Sequence, residues 1–303
     1  MTVEQLSYID RTRGIRASMG FAGASERRID VLVWQPSALG PWPLVIYCHG
    51  TDGAADNATW LAEALSQAGY LVAAPFFPLT SRAAHTGVAG ADISDAGEQV
   101  KDVTFVIGAL LADPEYGKLI DATRIGTVGH SLGAITCWFA SFGEKTRDPR
   151  IRATAMLGAG DPVVAAEKTD LGLGDAGQAN VSIPALLVTA EKDLFSRMMG
   201  PHGTAFPRLN GPKFEVTIAG GCHVWFHDGD ICPGDHSNPD ALWFAERSPG
   251  FAVPGSEERE PLIGPRRQRE ITGGAVFSFF TTWMETHRGS PTCRNCRSNR
   301  TWR

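Results

Sequence analysis

The feature that most limits what this chain can fold into is an alternation. Short apolar runs recur along it, and most of them are separated by a segment with helical periodicity. Arg28–Trp34 (RIDVLVW) alternates like a half-buried strand. Pro43–Cys48 (PLVIYC) and Tyr70–Phe77 (YLVAAPFF) are continuous apolar runs, the kind found in strands covered on both faces. Arg124–Val128, Ile151–Leu157, Pro184–Thr189 and Lys213–Ile218 read as further strands. Ala58–Ala68, Ser94–Ala112, Leu132–Phe142 and Ala275–Thr286 read as helices. In the second of these, Ser94 is placed to cap, and Val100, Val103, Val106, Ile107 and Leu110 form the inner face. Strands alternating with helices predict the α/β class: a mostly parallel central sheet with helices on both faces.

Composition fits that class. In 303 residues, 43% are hydrophobic and 20% charged, enough apolar material for one sizeable core and too much for a disordered chain. The net charge of −5 gives no basic footprint for nucleic acid. No apolar run approaches the roughly 18 residues that a membrane span needs. Met1–Asp10 is mixed polar and carries no secretory pattern, so the expected location is cytoplasmic, or exported if a leader has been removed. A single domain is expected over 1–287. Within it, 158–182 is Gly- and Ala-rich and 228–265 is Pro-rich; both read as long loops over a working edge, the second a candidate lid. Residues 288–303 carry five arginines and no acid, and read as a flexible basic tail. Cys48 and Cys137 sit in apolar runs, Cys222 and Cys232 are spaced to close a loop, and Cys293 and Cys296 form a C-x-x-C without a second ligand pair. Free thiols and no metal site are expected.

The chemistry begins at Gly129-His130-Ser131-Leu132-Gly133. This G-x-S-x-G follows a strand and opens a helix, the setting of a nucleophile elbow. A sharp turn there projects the Ser131 hydroxyl above the strand end, at a helix N-terminus that favours developing negative charge. His49-Gly50-Thr51 follows the earlier buried strand. An oxyanion hole needs two backbone N–H groups aimed at one point, and Thr51 and Leu132 are the natural donors. His49 and His130 flank these motifs and read as structural hydrogen-bonders.

With these stretches the sequence resembles the α/β-hydrolase superfamily. The likeness is carried by VIYCHGTDG, WLAEALSQAGYLVAAP, KDVTFVIGALLAD and DATRIGTVGHSLGA, across Arg28–Leu157 and more weakly to the last helix. More narrowly it resembles the group that includes bacterial dienelactone hydrolases, platelet-activating-factor acetylhydrolase-type enzymes and cutinase-type polyester hydrolases. The resemblance implies a serine nucleophile, an acid and a histidine in that chain order, and no cofactor. The acid follows a later strand: Asp193, after Pro184–Thr189, with Glu191 as a neighbour and Asp161, after Ile151–Leu157, as the competitor. The histidine is His223, in the Gly-rich loop after Lys213–Ile218, with His227, His236 and His202 as rivals.

The resemblance implies hydrolysis of a small-molecule carboxylic ester, with a short or medium acyl chain, through an acyl-enzyme. A serine peptidase or amidase on the same fold is the alternative, and a non-catalytic binding protein a third reading. The aromatic residues Trp60, Phe76, Phe77, Trp225, Phe226, Trp243 and Phe244 are candidates both for an acyl pocket and for the core. The number of subunits is left open.

Overall fold

The computed structural model describes residues 1–87, 90–168, 178–199, 205–247 and 253–285. Among them, eight strands form one sheet: β1 (Thr2–Asp10), β2 (Arg27–Gln35), β3 (Trp42–Cys48), β4 (Leu71–Phe76), β5 (Ile120–His130), β6 (Ile151–Leu157), β7 (Ala185–Ala190) and β8 (Lys213–Ile218). Their order across the sheet is β1-β2-β4-β3-β5-β6-β7-β8. β2 runs antiparallel to both β1 and β4, and every other neighbouring pair is parallel.

The continuous apolar runs are explained by two covered faces. In β3, Leu44, Ile46 and Cys48 turn to one face, where α2 (Ala96–Ala112) and α3 (Leu132–Phe142) supply Val103, Ile107, Trp138 and Phe139. Val45 and Tyr47 turn to the other, where α1 (Thr59–Gln67) and α7 (Pro265–Phe280) supply Leu61, Leu65, Val276 and Phe279. A strand sandwiched in this way has no solvent side, so it cannot alternate.

Several local expectations need correction. β1 carries little apolar signal because it is an edge strand whose side chains are mostly exposed. Asp92, not Ser94, caps the approach to α2: its carboxylate accepts the Ser94 N–H at 3.2 Å. α7 starts at Pro265 rather than Ala275, because Pro is suited to the first helical turn and Arg266, Arg267 and Glu270 face solvent, which breaks up the apolar pattern. The two segments expected as loops each contain a helix, α4 (Pro162–Lys168) in the first and α6 (Pro239–Arg247) in the second. A further short helix, α5 (Leu194–Met199), follows β7. Cys48, Cys137, Cys222 and Cys232 are free thiols. Cys293, Cys296 and the basic tail lie outside the described residues. Among the described residues, no helix is long and apolar enough to cross a membrane.

Parallel pairing lines up the carboxyl ends of β3 and β5–β8 along one edge. Cys48 sits beside Gly129, His130 beside Leu157, Leu157 beside Val188, and Ala190 beside Ile218. In open α/β sheets this edge is where ligands bind.

Candidate active site

Ser131 stands between β5 and α3 with φ 57° and ψ −122°. A non-glycine residue with positive φ costs on the order of 1–3 kcal/mol and persists only where its surroundings over-determine it. Here they do. The Ser131 N–H donates to Leu157 O at 3.0 Å, and its carbonyl accepts from Ala134 and Ile135 in the first turn of α3. Close backbone approach does the rest: a Cβ on Gly133 would lie 2.0 Å from Cys48 O, and one on Gly129 would lie 2.2 Å from Gly133 O. Only glycine lets α3 start this close to the end of β3.

Thr51 and Leu132 line the same small cavity as Ser131 and His223, with a volume of about 150 Å³. The Leu132 N–H belongs to the first turn of α3, where no intrahelical acceptor is in reach. The loop carrying Thr51 is fixed on both sides: Asp52 N–H donates to Thr80 O at 2.9 Å and Gly53 N–H to Gly50 O at 3.1 Å. His49 is fully buried beneath it. Its Nδ1 donates to Gly50 O at 2.8 Å, and its Nε2 accepts the Phe77 N–H at 3.3 Å. Burial lowers this imidazole to about 4, so it stays neutral and structural, as expected. His130 also bonds to the backbone, at His223, as expected of a structural hydrogen-bonder. Its ring packs 4.5 Å from that of His223 and 5.7 Å from those of Phe226 and His227, and its buried Nε2 finds no hydrogen-bond partner among the described residues. Burial, then the neighbouring His223 and His227, hold it well below the ordinary range.

His223 opens the short turn after β8 and is almost fully buried. Its Nδ1 lies 2.8 Å from Asp193 Oδ2. Asp193 is itself held: Ser196 donates to it from both N–H and Oγ, each at 2.8 Å. Burial pushes the His223 imidazole down, but the charge and hydrogen bond of Asp193 and the charge of Asp240 outweigh it and hold the ring above its ordinary value. With Nδ1 on the carboxylate, the neutral ring keeps Nε2 as its acceptor.

The competing acids are occupied elsewhere. Asp161 caps α4, accepting from Val163 and Val164 N–H at 3.0 and 3.3 Å, and accepts the Ala205 N–H at 3.1 Å. Glu191 accepts the Gly220 N–H at 2.9 Å and pairs with Lys192. His202 lies outside the described residues.

Of the aromatic candidates, Phe77, Trp225 and Phe226 are wholly buried in the core. The ring at the cavity is one not anticipated: Phe195 of α5 stacks on His223 at 4.1 Å and 18°. Phe244 stacks behind it at 4.2 Å, and Trp243 meets it edge-on at 5.1 Å.

Asp240 was also missed. It is fully buried at the start of α6 and accepts three backbone N–H groups: Leu194 at 3.0 Å, His223 at 3.1 Å and Val224 at 3.0 Å. The signal Asn238-Pro239-Asp240 announces a helix start, but nothing local announces what its carboxylate reaches.

No protein-family profile and no curated protein matches the sequence. Solved structures do match by shape. A ferulic acid esterase from Streptomyces cinnamoneus superposes with a TM-score of 0.67 at 20% identity, over 98% of this chain and 93% of that one. A dienelactone hydrolase from Anabaena variabilis gives 0.51 at 16% identity, over 91% and 98%. An acylaminoacyl peptidase from Pyrococcus horikoshii gives 0.55 at 15% identity, over 96% of this chain but 43% of that one. The sheet order, the strained serine at the β5–α3 turn and these superpositions together identify the architecture: this chain has the α/β-hydrolase fold.

Proposed function

We propose that this chain is a serine hydrolase acting on carboxylic esters with a short acyl chain. The observation that carries the reading is the convergence on one cavity of Ser131, in its strained turn, with His223, buried and hydrogen-bonded to Asp193. In this reading Ser131 Oγ attacks the ester carbonyl carbon while His223 Nε2 takes its proton. The carbonyl electron pair moves onto oxygen, where the Thr51 and Leu132 amides receive it; each such donor is worth about 3–4 kcal/mol. Collapse expels the alcohol, protonated by the His223 imidazolium. Water then repeats the sequence on the acyl-enzyme and releases the acid. Asp193 fixes the ring orientation and stabilises the imidazolium. The cavity of about 150 Å³ suits a small acyl group rather than a long chain.

Hydrolysis of p-nitrophenyl butyrate by the wild type and by Ser131→Ala tests this. Turnover that falls by roughly 10⁶-fold in kcat in the variant is expected. Undiminished turnover in the variant overturns the assignment of the nucleophile. The matching p-nitroanilide separates ester from amide chemistry: faster turnover of the anilide would favour a peptidase or amidase.

A further inference from the structure

We propose that Asp240 is a positioning residue for the base: from α6 it clamps together the two loops that carry Asp193 and His223, and it sets a second buried negative charge behind the imidazole. The proposal rests on the triad reading above.

The geometry is a three-point clamp. Asp240 Oδ2 accepts from Leu194, the residue after Asp193, and from His223 itself, while Oδ1 accepts from Val224. One carboxylate therefore ties the end of the acid loop to the start of the base loop. Asp240 is aimed by Asn238, whose Oδ1 accepts the Asp240 N–H at 2.9 Å and whose Nδ2 donates to Lys192 O at 2.7 Å. The other side of the histidine loop is closed by Gln268 of α7, which accepts the Cys222 N–H at 2.9 Å and donates to Cys222 O at 2.7 Å. Neither the clamp nor its support reaches the cavity around Ser131, so Asp240 acts through His223 and Asp193 and not on substrate.

The charge matters as well as the bonds. The groups facing His223 and Asp240 are Asp193 on the β7–α5 loop, His130 at the end of β5, with His227 against its other side, and Cys222 before the histidine turn, with Lys192 beside Cys222. His130 is held neutral by burial, and the Cys222 thiol is pushed up by burial and stays protonated. Asp193 and Asp240 are therefore the negative charges close to the ring. Burial and then the charge of Asp193 raise Asp240 to about 6, while both of its oxygens accept backbone N–H groups, the arrangement that suits an ionised, acceptor-only carboxylate. A second carboxylate there favours the imidazolium that forms when Ser131 gives up its proton.

Asp240→Asn removes the charge and leaves a single oxygen for three N–H donors, so at least one loop contact is lost. The experiment compares kcat and KM for p-nitrophenyl butyrate across pH in wild type, Ser131→Ala and Asp240→Asn. It also records the low-field proton NMR signal of His223 Nδ1–H. Three results are expected for Asp240→Asn: kcat roughly tenfold lower, KM within about twofold, and the acid limb of kcat/KM roughly one pH unit lower, because losing a negative charge makes the ring easier to deprotonate. The His223 proton signal should titrate at the same lower pH. A merely structural role would lower activity or stability and leave the acid limb in place; an unmoved acid limb with Ser131-dependent activity overturns the proposal. Activity that survives in Ser131→Ala is a different failure, that of the triad reading itself, and this proposal falls with it. Should Asp240→Asn not fold, Asn238→Ala decides, because it keeps the carboxylate but frees its mount. There a several-fold drop in kcat with a displaced His223 proton signal supports the clamp, and wild-type values for both overturn it.

Discussion

Ser131 and His223 face one cavity, but they are held there by opposite means. The serine side is built from backbone. Central strands β3 and β5 are buried on both faces, and α3 starts so close to them that two glycines are compulsory. The histidine side is built from side chains near the far edge of the sheet. There Asp193, Ser196, Asp240 and Gln268 fasten loops that are otherwise joined by a few backbone bonds, such as Lys192 N–H to Gly221 O at 2.9 Å. A backbone-built half transmits any change in volume at once, because close-packed main chain has nowhere to go. A side-chain-built half transmits changes in charge and hydrogen bonding. The difference predicts which substitutions each half tolerates.

The largest effect tests the histidine side. Asp193→Asn keeps the shape but presents an amide to Nδ1 and favours the wrong imidazole tautomer. A fall in kcat of roughly 10⁴-fold is expected, with a circular dichroism spectrum and melting temperature close to wild type. A loss within tenfold would mean that another carboxylate orients the ring.

The serine side should fail through packing instead. A Cβ on Gly133 meets the Cys48 carbonyl oxygen at 2.0 Å and that of His49 at 2.6 Å, so Gly133→Ala has to push α3 off β3. Overpacking of this kind costs about 3 kcal/mol, readable in urea unfolding, and the displaced elbow should also lower kcat. Gly274 of α7 provides the control. It is exposed, and a Cβ there meets nothing within 4 Å. Gly274→Ala should raise stability by about 0.5–1 kcal/mol and leave kcat alone. Equal outcomes at the two positions would erase the contrast between the halves.

The same contrast explains what the sequence discloses. The serine side is legible because its constraints are local: five consecutive residues, Gly129 to Gly133, carry the turn, the strain and both close approaches. The layered sheet is legible because strands buried on both faces, such as Trp42–Cys48, must be continuously apolar. Asp193 and His223 emerge only from their places after strands, through the resemblance to a known arrangement. Asp240 does not emerge at all. Its partners lie 46, 17 and 16 residues away, and its own neighbourhood spells only a helix start. Phe195 was missed for a related reason. Its stacking on His223 depends on α5, a helix of six residues, too short to show a period.

The sharpest test of the boundary between halves, with a small expected effect on activity, concerns Asp161. By position it follows β6, next to β5, and by sequence it competes with Asp193 for the role of acid. Its carboxylate is fully buried, as a triad acid's would be, yet it is spent on backbone: the Val163 and Val164 amides at the start of α4 and the Ala205 amide. Asp161→Asn replaces one acceptor oxygen by a donor, so either the helix cap or the tie to Ala205 is lost. An unsatisfied buried N–H costs about 1–3 kcal/mol, which should appear as a lower urea midpoint. Because none of the broken bonds involves His223, kcat/KM should stay within about threefold of wild type, with the acid limb unmoved. Stability lost without activity would mark Asp161 as part of the scaffold. A loss of the size expected for Asp193→Asn would instead place the acid on the β6 loop and bring both members of the histidine side into question, since the 2.8 Å bond from Asp193 to His223 would then be a bystander.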